Sequence, residues 1–144
     1  NDDFSFIVNK LNINNIMYIG IRDINKFEKK IIDYYNIWYI SPEEFNNDPL
    51  KSYDYIKSFI GNDPTHLSFD VDSLDPSLLP CTGTVVKNGL LLEETKIVID
   101  KLHDRKNIIN MDITELNLDL GNKDEQIKSL NNFTYLFDKY LKKK

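Results

Sequence analysis

The chain has 144 residues, 41% hydrophobic and 28% charged, which is enough apolar mass for the core of one globular domain or one large piece of a domain and too much for a disordered tail. A formal net charge of -5, with 18 basic residues that cluster only in the terminal KKK, argues against a nucleic-acid partner. The single cysteine, Cys81, excludes an intrachain disulfide and a thiolate zinc cage, no apolar run reaches membrane-spanning length, and the opening NDDFSF does not read as a signal peptide.

In chain order, NIMYIGI (15–21) predicts a buried strand that delivers Arg22 and Asp23 to its C-terminal end. KFEKKIIDYY follows with Phe27, Ile31 and Tyr34 or Tyr35 at helical spacing, and IWYI (37–40) gives a second strand. Ser41, Pro42 and Glu44 form a capping box with proline at the first helical position. PLKSYDYIKSFIG then puts Tyr53, Ile56, Phe59 and Ile60 on one stripe and is expected to end at Gly61 as a left-handed cap. A strand at 66–72, a loop to Gly89, a helix at 92–104, a strand at 107–114 and a helix at 123–141 complete the chain. The last helix is expected to turn Ile127, Leu130, Phe133, Phe137, Tyr140 and Leu141 inward. Alternating strands and helices imply an α/β architecture with a mostly parallel sheet. No repeat, linker or boundary divides residues 1–144, so one domain, or part of one, is expected.

In open parallel sheets ligands collect beyond the C-terminal strand ends. Three polar sets fall there: Arg22 with Asp23, Asp70 with Asp72, and Glu115. If the strand continues to residue 72, Ser68, Asp70 and Asp72 share one face, with the two carboxylates about 7 Å apart. Like charges so placed resist burial unless a cation compensates them, and carboxylate oxygens suit Mg²⁺, Ca²⁺ or Mn²⁺. Spacing alone leaves alternatives open: a solvated strand end, a calcium loop, or a phosphoryl-transfer nucleophile. The calcium reading fits poorly, because Leu74 and Asp75 stand where that loop wants a ligand and a glycine. Glu115 has a bland reading as a turn cap and a functional one as a guanidinium partner. Cys81, His66 and His103 read as structural.

Taken together, SFDVDSLDPSLLPCTGT followed by GLLLEE resembles the signature of arginases and related ureohydrolases, S-F-D-x-D-x-x-D-P, then P-x-T-G-T, then G-G-L. FSF near the start, MYIGIRD, and MDITELN, which matches D-I-x-E-x-N, extend the resemblance through nearly the whole chain, as the C-terminal half of an arginase. The resemblance implies a three-layer α/β fold that commonly trimerises. It also implies hydrolysis of L-arginine to L-ornithine and urea by a hydroxide bridging two Mn²⁺ ions. By the same resemblance Asp70 and Asp72 are the metal-ligand pair, Glu115 binds the guanidinium with Thr84 beside it, and Arg22, Asp23, Asn25 and Glu28 belong to the segment that recognises the α-amino end. Asn25 stands where the family usually has Asp, which weakens charge-based recognition of an α-ammonium.

The family's remaining ligands, an isolated histidine and a D-x-H-x-D motif, belong upstream of the matched region and do not occur in these residues. The expectation is therefore a segment that works with the N-terminal half of its protein, as a cytoplasmic homotrimer, and that is inactive as 144 residues alone. A lacking initial methionine leaves room for targeting information upstream. The alternatives are a sister enzyme such as an agmatinase, or a non-catalytic remnant supplying packing or oligomer contacts.

Overall fold

Strand and helix alternate in the order the periodicity predicts, and the computed structural model describes residues 6–142. Phe4 and Ser5 of FSF, and Lys143 and Lys144 of the terminal KKK, lie outside the described residues. The elements are β1 (Met17–Ile19), α1 (Lys26–Tyr35), β2 (Trp38–Ile40), α2 (Pro42–Asn47), α3 (Pro49–Ile60), β3 (Thr65–Asp70), α4 (Leu92–His103), β4 (Ile108–Thr114), α5 (Lys123–Leu136) and α6 (Asp138–Leu141). β1 pairs with β2 and β3 with β4, both in parallel, so the expected α/β class with helices flanking parallel strands is the observed one. Among the described residues β1 and β3 are each paired on one side.

Local chemistry explains most boundaries. Ser41 and Glu44 close the predicted capping box reciprocally, and Asn25 with Glu28 makes a second one at the start of α1. Gly61 departs from its expected role: at φ 51° and ψ -126° it is not a left-handed cap but a more strained turn that glycine tolerates because it lacks a Cβ.

One buried cluster runs from Ile40 and Phe45 through Ile56, Ile60, Phe69, Val71 and Leu74 to Val98, Leu102, Leu136 and Phe137. The predicted helix 123–141 is broken at Phe137, whose ring is edge-on to Phe69 at 5.0 Å between centroids, while Lys96 of α4 binds Asp138 at 2.8 Å. Its inner face also differs from expectation. Phe133, Phe137 and Tyr140 do reach the core, but Ile127 is 58% exposed, and Leu130 and Leu141 are exposed too. The inward arc instead runs through Ser129, Phe133, Leu136 and Tyr140, and Leu130 and Ile127 lie roughly 100° and 160° around the axis from Ser129. Leu136→Ala is therefore expected to lower stability by about 3 kcal/mol, and Ile127→Ala by less than about 0.5 kcal/mol. Denaturant melts that rank the two variants the other way would contradict this face. On α1, Ile32 is buried, whereas the Phe27, Ile31 and Tyr34 stripe faces out.

Candidate metal and substrate site

β3 ends at Asp70, and Val71–Ser73 then tightens into a 3-10 turn. The carboxylate Oδ1 of Asp70 accepts the Asp72 N–H at 3.0 Å, and the Ser73 hydroxyl donates to the Asp70 carbonyl at 2.7 Å. The expected strand to residue 72 is thus two residues too long, and Asp72 leaves the Ser68 and Asp70 face. Aspartate bonding its own backbone two residues on competes with the ladder and bends the chain. Burial, then the charge of Asp70, push the Asp72 carboxyl above the ordinary carboxylate range, with Glu115 adding to the rise and Arg22 opposing it.

Asp75, the third acid of D-x-D-x-x-D, closes the loop that follows. Its Oδ2 accepts the Asn88 N–H at 2.8 Å and the Gly89 N–H at 3.3 Å, and its Oδ1 accepts the Ser77 N–H at 3.0 Å and the Ser77 hydroxyl at 2.6 Å. The Ser77 hydroxyl, against burial and with help from these backbone N–H groups, holds the Asp75 carboxyl below its usual range. A short parallel bridge joins Leu74 to Leu90, with the Asp75 N–H donating to the Leu90 carbonyl at 3.0 Å and the Leu90 N–H to the Ser73 carbonyl at 2.9 Å. Asn46 of α2 extends the tie, donating to the Gly89 carbonyl at 3.0 Å and accepting the Leu91 N–H at 2.9 Å.

The closed loop returns T-G-T to the strand ends. A Cβ at Gly83 would sit 3.9 Å from Oε2 of Glu115. Glu115 follows β4, whose Thr114 is in register with Asp70, and holds φ 65°, a left-handed conformation that a glutamate adopts at some cost in strain. Arg22, Asp23, Asp70, Asp72 and Thr84 all line a cleft of about 880 Å³ between the open edges of β1 and β3. Among the described residues no set of three or more His, Cys, Asp or Glu is arranged to hold a metal ion. Asp70 and Asp72 nevertheless fit a hard divalent cation by donor type, as a carboxylate pair at the cleft wall with Glu115 adding negative charge nearby.

The profile described as "Arginase family" matches residues 4–133. The chain belongs to the arginase family. It is 39% identical over 110 residues to an arginase of Emericella nidulans, an alignment covering 75% of this chain and 34% of that protein. It is 35% identical over 130 residues to the mitochondrial arginase-2 of Mus musculus, covering 88% of this chain and 37% of the relative. It also superposes on the Entamoeba histolytica arginase solved in complex with L-ornithine, with a TM-score of 0.82 and 27% identity, over 93% of this chain and 46% of that one. The chain thus spans about a third of the length of these curated arginases, 34% and 37%, and under half of the solved one, 46%. No helix among the described residues is long and apolar enough to cross a membrane.

Other signature residues of this arginase-family chain are engaged locally. Oδ1 of Asn25 accepts the Phe27 and Glu28 N–H groups at 2.8 and 3.0 Å, and Oε2 of Glu28 accepts the Asn25 N–H at 2.8 Å; neither side chain lines the cleft. Among the described residues the Arg22 guanidinium donates to backbone carbonyls, so the arginine beside Asp23 is turned toward the chain's own turns. His66 and Ser68 both bind Asp112, at 3.0 and 2.6 Å, and His103 packs edge-on against Tyr140. Cys81 is fully buried, its N–H donating to Ser129 Oγ at 3.2 Å. Sequence reasoning missed Asp75 and Asn46 as loop ties. The Asp75 tie had a signal in the D-P-S that follows Leu74, since an aspartate two residues before a serine favours such a turn. The Asn46 tie, made across 43 and 45 residues, had none.

Proposed function

We propose that this chain supplies part of the active site of an arginase that hydrolyses L-arginine to L-ornithine and urea. The observation that carries the reading is convergence. Asp70, Asp72 and Thr84 meet at the wall of one cleft, and Glu115 stands near enough to act on Asp72 and to face Gly83. Asp70 and Asp72 would hold manganese, two ions in the intact enzyme, together with histidine ligands from the N-terminal half of the protein. Manganese, when bound, would lower the pKa of water at neutral pH and orient it.

The chain's own residues do the rest. Glu115 receives two N–H groups of the guanidinium in a bidentate pair and holds its carbon for attack, with Thr84 bordering the same end. Water's oxygen bonds to that carbon, the bond to the side-chain nitrogen breaks, and that nitrogen leaves protonated as the amine of ornithine. Asp23 takes the α-ammonium. Asn25 and Glu28 belong to the same α-amino recognition segment, which they brace by capping the start of α1 reciprocally.

The open edges of β1 and β3 support a role for the missing portion. A strand entering between them would satisfy both ladders and bring its side chains opposite Asp70 and Asp72. The residues 1–144 then form the C-terminal part of one catalytic domain, in a cytoplasmic homotrimer. Glu115→Gln in the full-length protein is expected to reduce kcat/KM for arginine by about a hundred-fold, the loss of a charge-assisted pair, with manganese content unchanged. Metal analysis showing loss of manganese instead would make Glu115 a ligand and overturn its assigned role.

A further inference from the structure

We propose that Arg22 is a positioning residue that sets the separation between the metal-binding carboxylates and the Thr84 loop. This rests on the arginase reading of the site. The guanidinium has five N–H donors in a fixed plane, and here they are spread over six backbone carbonyls from three segments. Nη1 donates to Gly20 and Ser73, both at 3.2 Å; Nη2 to Asp72 at 2.8 Å, Leu74 at 3.3 Å and Val86 at 2.7 Å; Nε to Val86 at 3.3 Å and Lys87 at 3.2 Å.

The three segments are the end of β1, the turn that aims Asp72, and the loop two residues beyond Thr84. The last carbonyls of a short 3-10 turn have no partner within the turn. Arg22 binds the Asp72, Ser73 and Leu74 carbonyls, sharing Ser73 with the Leu90 N–H, and so fixes the direction in which the Asp72 side chain leaves. The same plane of donors reaches Val86 and Lys87, so the turn and the loop cannot shift apart without breaking bonds to one rigid group. Asp75 and the bridge between Leu74 and Leu90 hold the loop's base; Arg22 holds its far side, next to Thr84. Lysine does not fully replace it, because one ammonium with three donors does not span six carbonyls from three segments.

The test uses the full-length protein, with Arg22→Gln, Arg22→Lys and Asp70→Asn compared by calorimetric titration with Mn²⁺, steady-state kinetics and thermal melting. Arg22→Gln is expected to weaken Mn²⁺ binding by about ten- to a hundred-fold, as loss of a group orienting metal ligands does, and to raise KM for arginine, with Arg22→Lys regaining only part of each. Added millimolar guanidinium is expected to recover Mn²⁺ affinity in Arg22→Gln and to leave Asp70→Asn unchanged. Normal Mn²⁺ affinity and KM in a folded Arg22→Gln protein of lowered melting temperature would reduce Arg22 to packing and overturn the proposal, while loss of metal in Asp70→Asn keeps the arginase reading. Normal metal binding and turnover in Asp70→Asn would instead overturn that reading itself. Should both Arg22 variants fail to fold, ¹⁵N spectra of the unaltered protein decide: slowly exchanging Arg22 Nη–H signals support the clamp, and rapid exchange overturns it.

Discussion

Gly89→Ala is expected to destabilise the protein by about 3 kcal/mol, at the upper end for an overpacked site. A Cβ at residue 89 would stand 2.4 Å from the Leu74 carbonyl carbon and 2.5 Å from both the Asp75 nitrogen and the Leu74 oxygen. These are backbone atoms, so no side-chain rotation relieves the contact. The chain must open the bridge between Leu74 and Leu90, and with it the Asp75 carboxylate loses the Asn88 and Gly89 N–H groups. Because Ser73 and Leu74 belong to the turn that carries Asp72, the damage passes directly to the site. Gly61→Ala provides the contrast. A Cβ there meets nothing within 4 Å, and the penalty comes from φ 51° alone, on the order of 1 kcal/mol. Denaturant unfolding of both variants checks the pair: equal losses would mean that backbone crowding at Gly89 is relieved by a shift that the present geometry does not suggest.

Asp70→Asn in the full-length protein is expected to abolish manganese-dependent arginine hydrolysis, with a loss of about a hundred-fold or more, since even the groups that merely orient metal ligands are worth that much. The substitution keeps the shape of the side chain. An asparagine Oδ1 can still accept the Asp72 N–H, so the turn at Val71–Ser73 is retained and the fold should be intact. What disappears is one negative charge and one metal-coordinating oxygen. Metal analysis and urea release, measured together, separate the effects; near-normal activity and manganese occupancy would contradict the ligand assignment. The 144 residues alone are expected to show neither stoichiometric manganese nor urea release, because two carboxylates do not complete a two-metal site and the cleft between β1 and β3 is open. An active, fully metallated chain of this length would overturn that expectation.

Much of this was legible in the residues. Helical spacing located α1 and α3, the capping box at Ser41 located α2, and apolar runs located all four strands, because each of these depends on neighbours within a few positions. The family was legible too, through the resemblance of SFDVDSLDP, TGT and MDITELN to the arginase signature, where spacing by itself left several readings open. Errors came where a local preference met a distant partner. The Asp72 strand stopped early because Asp70 turned its carboxylate onto the next amides, and α5 broke because Phe137 and Asp138 are held by Phe69 and Lys96.

By itself, then, the sequence determined the α/β class and the order of the elements, which follow from short-range periodicity and residue chemistry, and its motifs carried the resemblance that gave the family. Only the tertiary structure decided that Arg22 faces the chain's own turns, that Asp75 and Asn46 tie the loop, that Glu115 is held in a left-handed conformation, and that β1 and β3 present open edges to a shared cleft. The physical reason lies in the partners. Arg22, Asp75 and Asn46 bind backbone N–H and carbonyl groups, which nearly every residue carries, so the choice of partner leaves no mark in residue type and is fixed only by where the folded chain brings its segments together.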